Sequence, residues 1–188
     1  ISELSGDQFG LLAEVAAVFG LKELGVDVSV LCTPGSRFIP ELKSRGIPFY
    51  EKHPTSKWDK KETRQLKDLI TSGRFNIIHA FNNKAIIQGL RATRGMDVHV
   101  LTYRGFAGHI HWYDPSSYLT HLHPRISGIW CVSNVVKESL DKQFFGRKTP
   151  TKVIYKGHDP DWYKGVVPLG KQKLGLDPES FAVVLVAN

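Results

Sequence analysis

Four short apolar runs in this chain end in side chains that can meet charge or share a proton. His79 closes the run Asn76 to His79, and Asn82 and Asn83 come just after it. Arg104 follows Val100-Leu101-Thr102-Tyr103, with Gly105, His109 and His111 behind it. Ser133 and Asn134 follow Cys131-Val132, and Lys156-Gly157-His158-Asp159 follow Ile154-Tyr155. In an open parallel sheet, ligands bind in the crevice beyond the carboxyl ends of the strands. Shared by four such ends, a cleft would present an imidazole, a guanidinium, hydroxyls and an ammonium. A cation at such a mouth costs desolvation unless an anion or water meets it. Arginine suits bidentate contact with phosphate or carboxylate better than lysine does.

Each of these residues also has a plainer role open to it. Asn82, Asn83, Ser133 and Asn134 are good helix N-caps, and capping alone would account for them. His79 could simply bond a neighbouring loop. The pairs His109/His111 and His121/His123 raise a zinc site, but no nearby Cys, Asp or Glu completes a ligand set, so no metal is expected. Phe106, Trp112 and Tyr113 in the same stretch could form a platform for a sugar ring. Ser5-Gly6-Asp7 stands immediately before the first helical segment. There glycine allows close backbone approach, and free N–H groups favour an anion. It is neither a Gly-x-Gly-x-x-Gly nor a Walker sequence. Beside Arg104 and Lys156, it makes a phosphate-bearing ligand reasonable.

The elements that would hold these residues alternate. Apolar residues recur every three or four positions from Gln8 to Leu24, a helix that Gly25 stops. A β-rich run from Val26 to Leu31 follows, then a short helix over Phe38 to Arg45 and a strand around Ile47 to Tyr50. Helices are expected over Lys60 to Thr71, Lys84 to Thr93 and Asn134 to Phe144. Strands are expected over Asn76 to His79, Val98 to Thr102, Ile129 to Val132 and Lys152 to Ile154, with an irregular loop over 105–117. Short, continuously apolar strands between longer helices imply an α/β fold with a mostly parallel sheet covered on both faces. Residues 158–180 mix Pro, Gly and charge and read as a linker. Phe181 to Ala187 reads as a fresh buried strand that starts a second domain.

Composition sets outer bounds. The chain has 188 residues, enough for one full core, with 41% hydrophobic and 23% charged residues. No apolar run reaches the roughly 18–20 residues that cross a bilayer. Cys32 and Cys131 end apolar runs and read as buried thiols of a reducing compartment. Lys plus Arg number 25 against 18 Asp plus Glu, a net charge of +7. The densest basic group, Lys57, Lys60, Lys61, Arg64 and Lys67, reads first as a solvated helix face. Charge without a motif gives no reason to propose nucleic acid as a partner. It leaves peripheral contact with an anionic membrane surface open.

In order and spacing the chain resembles the N-terminal, acceptor-side domain of the family 4 retaining glycosyltransferases, which have the GT-B fold. The resemblance rests on Ser5-Gly6 before the long helix, Leu21 to Gly25 ahead of the Val26 to Leu31 strand, and Leu42 to Ile47. It continues through Phe75 to Ala80, Trp130 to Ser133, Val153 to Asp159, and Lys173 to Leu176 before Phe181 to Val186. It implies one Rossmann-like half of that fold over 1–157, a linker over 158–180, and the start of a donor-binding domain over 181–188. The family's first strand would then lie before Ile1. The resemblance further implies transfer of a sugar from a nucleotide-diphosphate sugar to a hydroxyl-bearing acceptor with retention, without a metal or other cofactor, in the cytoplasm or at the inner face of its membrane. Arg104 and His79 would serve catalysis. Ser5, Gly6, Asp7, Lys156 and Gly157 would approach the donor diphosphate, while Asn82, His109, Trp112 and Ser133 would face the acceptor. The chain departs from the family twice: Arg104 stands where many relatives have a His, and Lys156-Gly-His-Asp159 where they read Asn-Gly-Val-Asp. Without the C-terminal domain this stretch would lack most of a donor site. A non-catalytic sugar- or phosphate-binding module, and another GT-B enzyme of epimerase-like type, remain alternatives.

Overall fold

The computed structural model describes residues 1–5, 9–146, 148–167, 169–183 and 185. They divide into two compact units, Ile1–Gly157 and His158–Asn188.

The first unit follows the expected alternation: α1 (Phe9–Glu23), β1 (Val30–Leu31), α2 (Ile39–Ser44), β2 (Phe49–Tyr50), α3 (Lys60–Ser72), β3 (Ile77–Ala80), α4 (Asn83–Ala92), β4 (His99–Arg104), β5 (Ile126–Cys131), α5 (Asn134–Asp141) and β6 (Thr151–Val153). All pairings are parallel, in a two-stranded β1-β2 sheet and a four-stranded β3-β4-β5-β6 sheet. Arg104 is the last residue of β4, opposite Cys131, rather than a residue beyond it.

The two sheets are joined by residues 1–3. Ser2 N–H donates to Leu31 O at 3.2 Å and Thr33 N–H to Glu3 O at 3.1 Å, which ties residues 2–3 to β1. Ile1 N donates to His79 O and Phe81 N–H to Ile1 O, the parallel pattern around Ala80. Residues 1–3 therefore lie between β1 and β3, hydrogen-bonded to both without forming a regular strand of their own. Extended backbone beside two open strand edges satisfies its polar groups there, whatever its side chains. The order across the molecule becomes β2, β1, residues 1–3, β3, β4, β5, β6, with the winding direction reversing between residues 1–3 and β3.

Strand alternation divides the core between the two faces. Val30, Cys32 and Leu4 pack with Val15 and Phe19 of α1 and with Phe38 and Leu42 beside and in α2. Leu31, Ile78, Ala80, Val100, Ile129 and Cys131 pack on the opposite face with α3, α4 and α5. Both cysteines are buried and free. Lys57, Lys60, Lys61, Arg64 and Lys67 are exposed.

Helix α4 positions the residues that matter most below. Fully buried Gln88 accepts from Thr63 Oγ1 and donates to Ser56 O and Asp59 O, fixing α4 against the start of α3. Asp59 in turn caps α3 through Lys61 N–H and Glu62 N–H. At the other end Arg125 donates to Leu90 O at 2.6 Å, Thr93 O at 2.7 Å and Thr93 Oγ1 at 2.9 Å. A cation there satisfies the last carbonyls and complements the helix dipole.

In the second unit two short 3₁₀ turns, Pro160–Tyr163 and Lys171–Leu174, interrupt irregular chain. The buried strand expected over Phe181 to Ala187 does not form among its described residues. Phe181, Val183 and Leu185 are 94%, 84% and 89% exposed, with no strand pairing to them among the described residues.

The Arg125 cap carries a test. Charge-assisted hydrogen bonds to buried acceptors contribute about 1.5–3 kcal/mol, so Arg125→Met should lower the unfolding free energy in urea by about 2 kcal/mol. An unchanged midpoint would show that the cap adds nothing.

Candidate functional site

A cleft of about 400 Å³ opens beyond the carboxyl ends of β3 and β4, beside the point where the winding reverses. Its walls include Glu3, Phe81, Asn82 to Lys84 at the start of α4, Tyr103 to Phe106 at the end of β4, and two residues from further away, Lys57 and His121. The strand order dictates this place: connections on either side of the reversal leave in opposite directions, so nothing fills the space between them.

Arg104 belongs to this cleft and is only 6% exposed. Its Nη2 donates to Gly108 O, and the guanidinium lies 3.9 Å from the centre of the Phe106 ring. Burial lowers its pKa. No carboxylate pairs with it among the described residues. Gly105 beside it has little freedom, since a Cβ there would stand 2.8 Å from Tyr103 Oη.

His121 was singled out in the sequence only as half of a doubtful zinc pair, yet it lines the cleft and is 2% exposed. Its Nε2 lies 3.2 Å from Tyr103 O, and its Nδ1 has no partner. Burial is the main force pulling its pKa down to about 4; the Tyr103 carbonyl opposes this and the Arg104 charge adds to it. Nothing local in the sequence marked it, because its place is set by the turn around Pro115–Leu119 and by burial against β4.

Other expected site residues turn out to be occupied or distant. Asn82 lines the cleft, but its Oδ1 caps Ala85 N–H at 3.0 Å and its Nδ2 lies 3.0 Å from His53 Nε2. Ser133 caps Val136 N–H. Lys156 is tied to Glu14 at 3.1 Å and sits over the Tyr103 ring, so its charge is already answered. Gly157 is exposed just before the boundary between the two units.

His79 does not reach the cleft. It borders a smaller, largely apolar cavity of about 80 Å³ and packs against Phe81 and Trp130, with ring centres 4.3 and 5.5 Å away. Burial lowers its pKa to about 4. His109 and Trp112 are exposed and also lie away from the cleft walls. Positive φ angles at Gly108 (85°) and His109 (57°) redirect the chain, and Trp112 and Tyr113 pack with Phe145 and His111 instead. Ser5 is exposed; Gly6 and Asp7 lie outside the described residues. Among the described residues, no group of three or more His, Cys, Asp or Glu is placed to hold a metal. No described helix is long and apolar enough to cross a membrane.

The depressed histidines set a pH dependence. With a folded pKa near 4 and an unfolded value of about 6.5, His121 binds a proton only after unfolding across that window. Its contribution is intact above about pH 6.5 and is lost as pH falls toward 4. His121→Asn should therefore reduce the slope of stability against pH between 6.5 and 4 by about one proton, measured by urea unfolding at each pH. Identical slopes in the two proteins would rule out the buried neutral imidazole.

With the geometry in place, comparison with known proteins supplies the relationship. A family model described as Glycosyltransferase Family 4 matches residues 17–162. Among solved structures, a glycosyltransferase from Rickettsia africae ESF-5 aligns at TM-score 0.60 and 19% identity, covering 87% of this chain and 43% of that one. Anabaena HepE, solved in complex with UDP and glucose, aligns at TM-score 0.55 and 18% identity, covering 80% and 42%. MurG from Acinetobacter baumannii aligns at TM-score 0.53 and 18% identity, again covering 80% and 42%. The search of curated proteins returned no match. The chain thus spans less than half the length of the solved chains it matches. At these identities the likenesses establish architecture: a Rossmann-like α/β domain resembling one half of a GT-B fold. The family match runs through most of that domain, and on it the chain belongs to Glycosyltransferase Family 4.

Proposed function

We propose that this chain is the acceptor-side half of a retaining glycosyltransferase, and that the cleft beyond β3 and β4 holds the acceptor. The carrying observation is the coincidence of the winding reversal, the cleft and a buried, carboxylate-free Arg104. Family membership supports the reaction class. A nucleotide-diphosphate sugar is the donor in this reading, in keeping with the UDP and glucose bound by Anabaena HepE. A C-terminal domain in cis would supply most of the donor site. Ser5, Gly6 and Asp7, ahead of α1, would approach the diphosphate.

The chemistry asked of this half is positioning and electrostatics. Holding an acceptor hydroxyl against the reacting carbon removes much of the entropy cost of a bimolecular step. Arg104, short of water and of a carboxylate, acts most strongly on negative charge brought into the cleft. His121 is neutral near pH 7 and can hold a hydrogen bond through Nδ1 without adding charge. Lys156, held by Glu14, contributes to the shape of the strand ends more than to a diphosphate. His79 acts through Phe81 as packing. The reading carries a cytoplasmic location, at the inner membrane face where the acceptor is lipid-linked.

The test uses the complete gene product with a panel of nucleotide-diphosphate sugars and candidate acceptors, following nucleotide release by mass spectrometry. One donor should be consumed, with the anomeric configuration retained in the product. Arg104→Ala should lower kcat/KM by about 10- to 100-fold, the loss of a charge-assisted contact. A folded sample that releases nucleotide from no donor would favour a non-catalytic binding module.

A further inference from the structure

Arg104 is the most deeply buried cation among the described residues, at 6% exposed. Half-buried Lys156 and Lys137 are answered by Glu14 and Asp141 at 3.1 and 2.6 Å, and half-buried Arg125 by the carbonyls that end α4. Arg104 has a carbonyl and an aromatic face in place of a carboxylate. A dipole and a ring quadrupole offset only part of the cost of burying a full charge.

Its surroundings favour negative charge as well. Lys57 and Lys84 are exposed on the cleft walls, against one lining carboxylate, Glu3. Helix α4 also begins there. Asn82 accepts from Ala85 N–H through its side chain and from Ile86 N–H through its carbonyl. The N–H groups of Asn83 and Lys84 then have no acceptor within the helix, at the positive end of its dipole. His121 also lines the cleft, with its Nδ1 buried and without a partner. The cleft volume of about 400 Å³ lies in the range of small-ligand sites and accommodates a sugar-sized polyol with one anionic group.

We propose that the ligand of this cleft is a phosphate-bearing polyol, with its phosphate on Arg104 and between Lys57 and Lys84. This rests on the acceptor reading above and narrows the acceptor's chemical class. A phosphate, as monoester or diester, offers a guanidinium two free oxygens in bidentate geometry and can meet flanking ammoniums at the same time, which suits three cations against one carboxylate. The same chemistry can arrive as a soluble sugar phosphate or as the phosphodiester headgroup of a lipid. Within the cleft the phosphate anchors one end of the molecule and leaves its hydroxyls free to present to a donor.

Calorimetric titration of the 188-residue chain with glucose, glucose 6-phosphate and UDP is the first arm of the test. The second is sedimentation with vesicles of phosphatidylcholine alone or mixed with phosphatidylinositol. Glucose 6-phosphate or the phosphatidylinositol vesicles should bind at least about tenfold better than the uncharged counterpart, and the arm that binds names the source. Arg104→Gln should weaken that binding by about 10- to 100-fold. Because Arg104 also holds the 105–108 loop, a second variant is needed. Lys57→Ala combined with Lys84→Ala changes only exposed side chains. It should weaken binding by about tenfold while the unfolding midpoint stays unchanged.

Equal binding of charged and uncharged ligands, or binding indifferent to both variants, would overturn the proposal. So would UDP as the tighter ligand of the same site. The outcome is separable from the transferase reading. Donor turnover by the complete protein without selective phosphate binding sinks the phosphate assignment alone. Selective phosphate binding without turnover of any donor sinks the transferase reading alone.

Discussion

The backbone hydrogen bonds of residues 1–3 hold the first unit together across its middle. Without them β1-β2 and β3-β4-β5-β6 are two sheets with exposed edges facing each other. With them the polar groups of Leu31, Thr33, His79 and Phe81 are satisfied, and a continuous parallel layer runs from β2 to β6. Parallel strands need long crossovers, so each neighbour in the layer commits a helix to one face or the other. The reversal beside residues 1–3 sends α1 and α2 to one face and α3, α4 and α5 to the other. The cleft is the space those opposite departures leave open.

Polar side chains at the strand ends divide into those the fold consumes and those it leaves uncommitted. Asn82 and Ser133 spend their oxygens on helix starts, and Lys156 spends its charge on Glu14. Such groups fix the strand ends rigidly, as a site built on packed elements requires. Arg104 and His121 are two uncommitted groups that line the cleft: one is a buried cation without a carboxylate, the other a buried imidazole with one nitrogen unbonded; His79, with Nε2 unbonded, lies outside it. Each incurs a desolvation cost that the protein alone leaves partly uncompensated. That two such groups share one cleft is what directs attention there instead of to the aromatic loop over 106–113.

How much of this could be read beforehand follows from what each signal depends on. Helices α3, α4 and α5 and strands β3 to β5 were legible because burial on a regular element writes a period into the sequence. Arg104 was legible because a charge directly after an apolar run must end up at a strand terminus. Residues 1–3 were not, since three residues carry too little pattern to reveal bonds to partners about 30 and 80 positions away. Lys57, Lys84 and His121 reach the cleft through tertiary packing, by Gln88 locking α4 to α3 and by the turn at Pro115–Leu119. His109 and Trp112 failed in the other direction. They are close to Arg104 in sequence, but left-handed backbone at Gly108 and His109 turns the loop away. Proximity along a loop, unlike periodicity along a helix, carries no direction.

The two faces of the sheet's carboxyl edge also differ in charge. On the face of α1, Glu14 and Lys156 neutralise each other over Tyr103. On the face of α4, Arg104, Lys57 and Lys84 outweigh Glu3. Tyr103 stands between them, with its ring under Lys156 and its backbone oxygen against His121. An anion approaching this edge is therefore drawn to the α4 side by a difference in local charge, before any specific contact is made. In the acceptor reading, that asymmetry assigns the negative end of the acceptor to one side of Tyr103 and leaves the other side neutral.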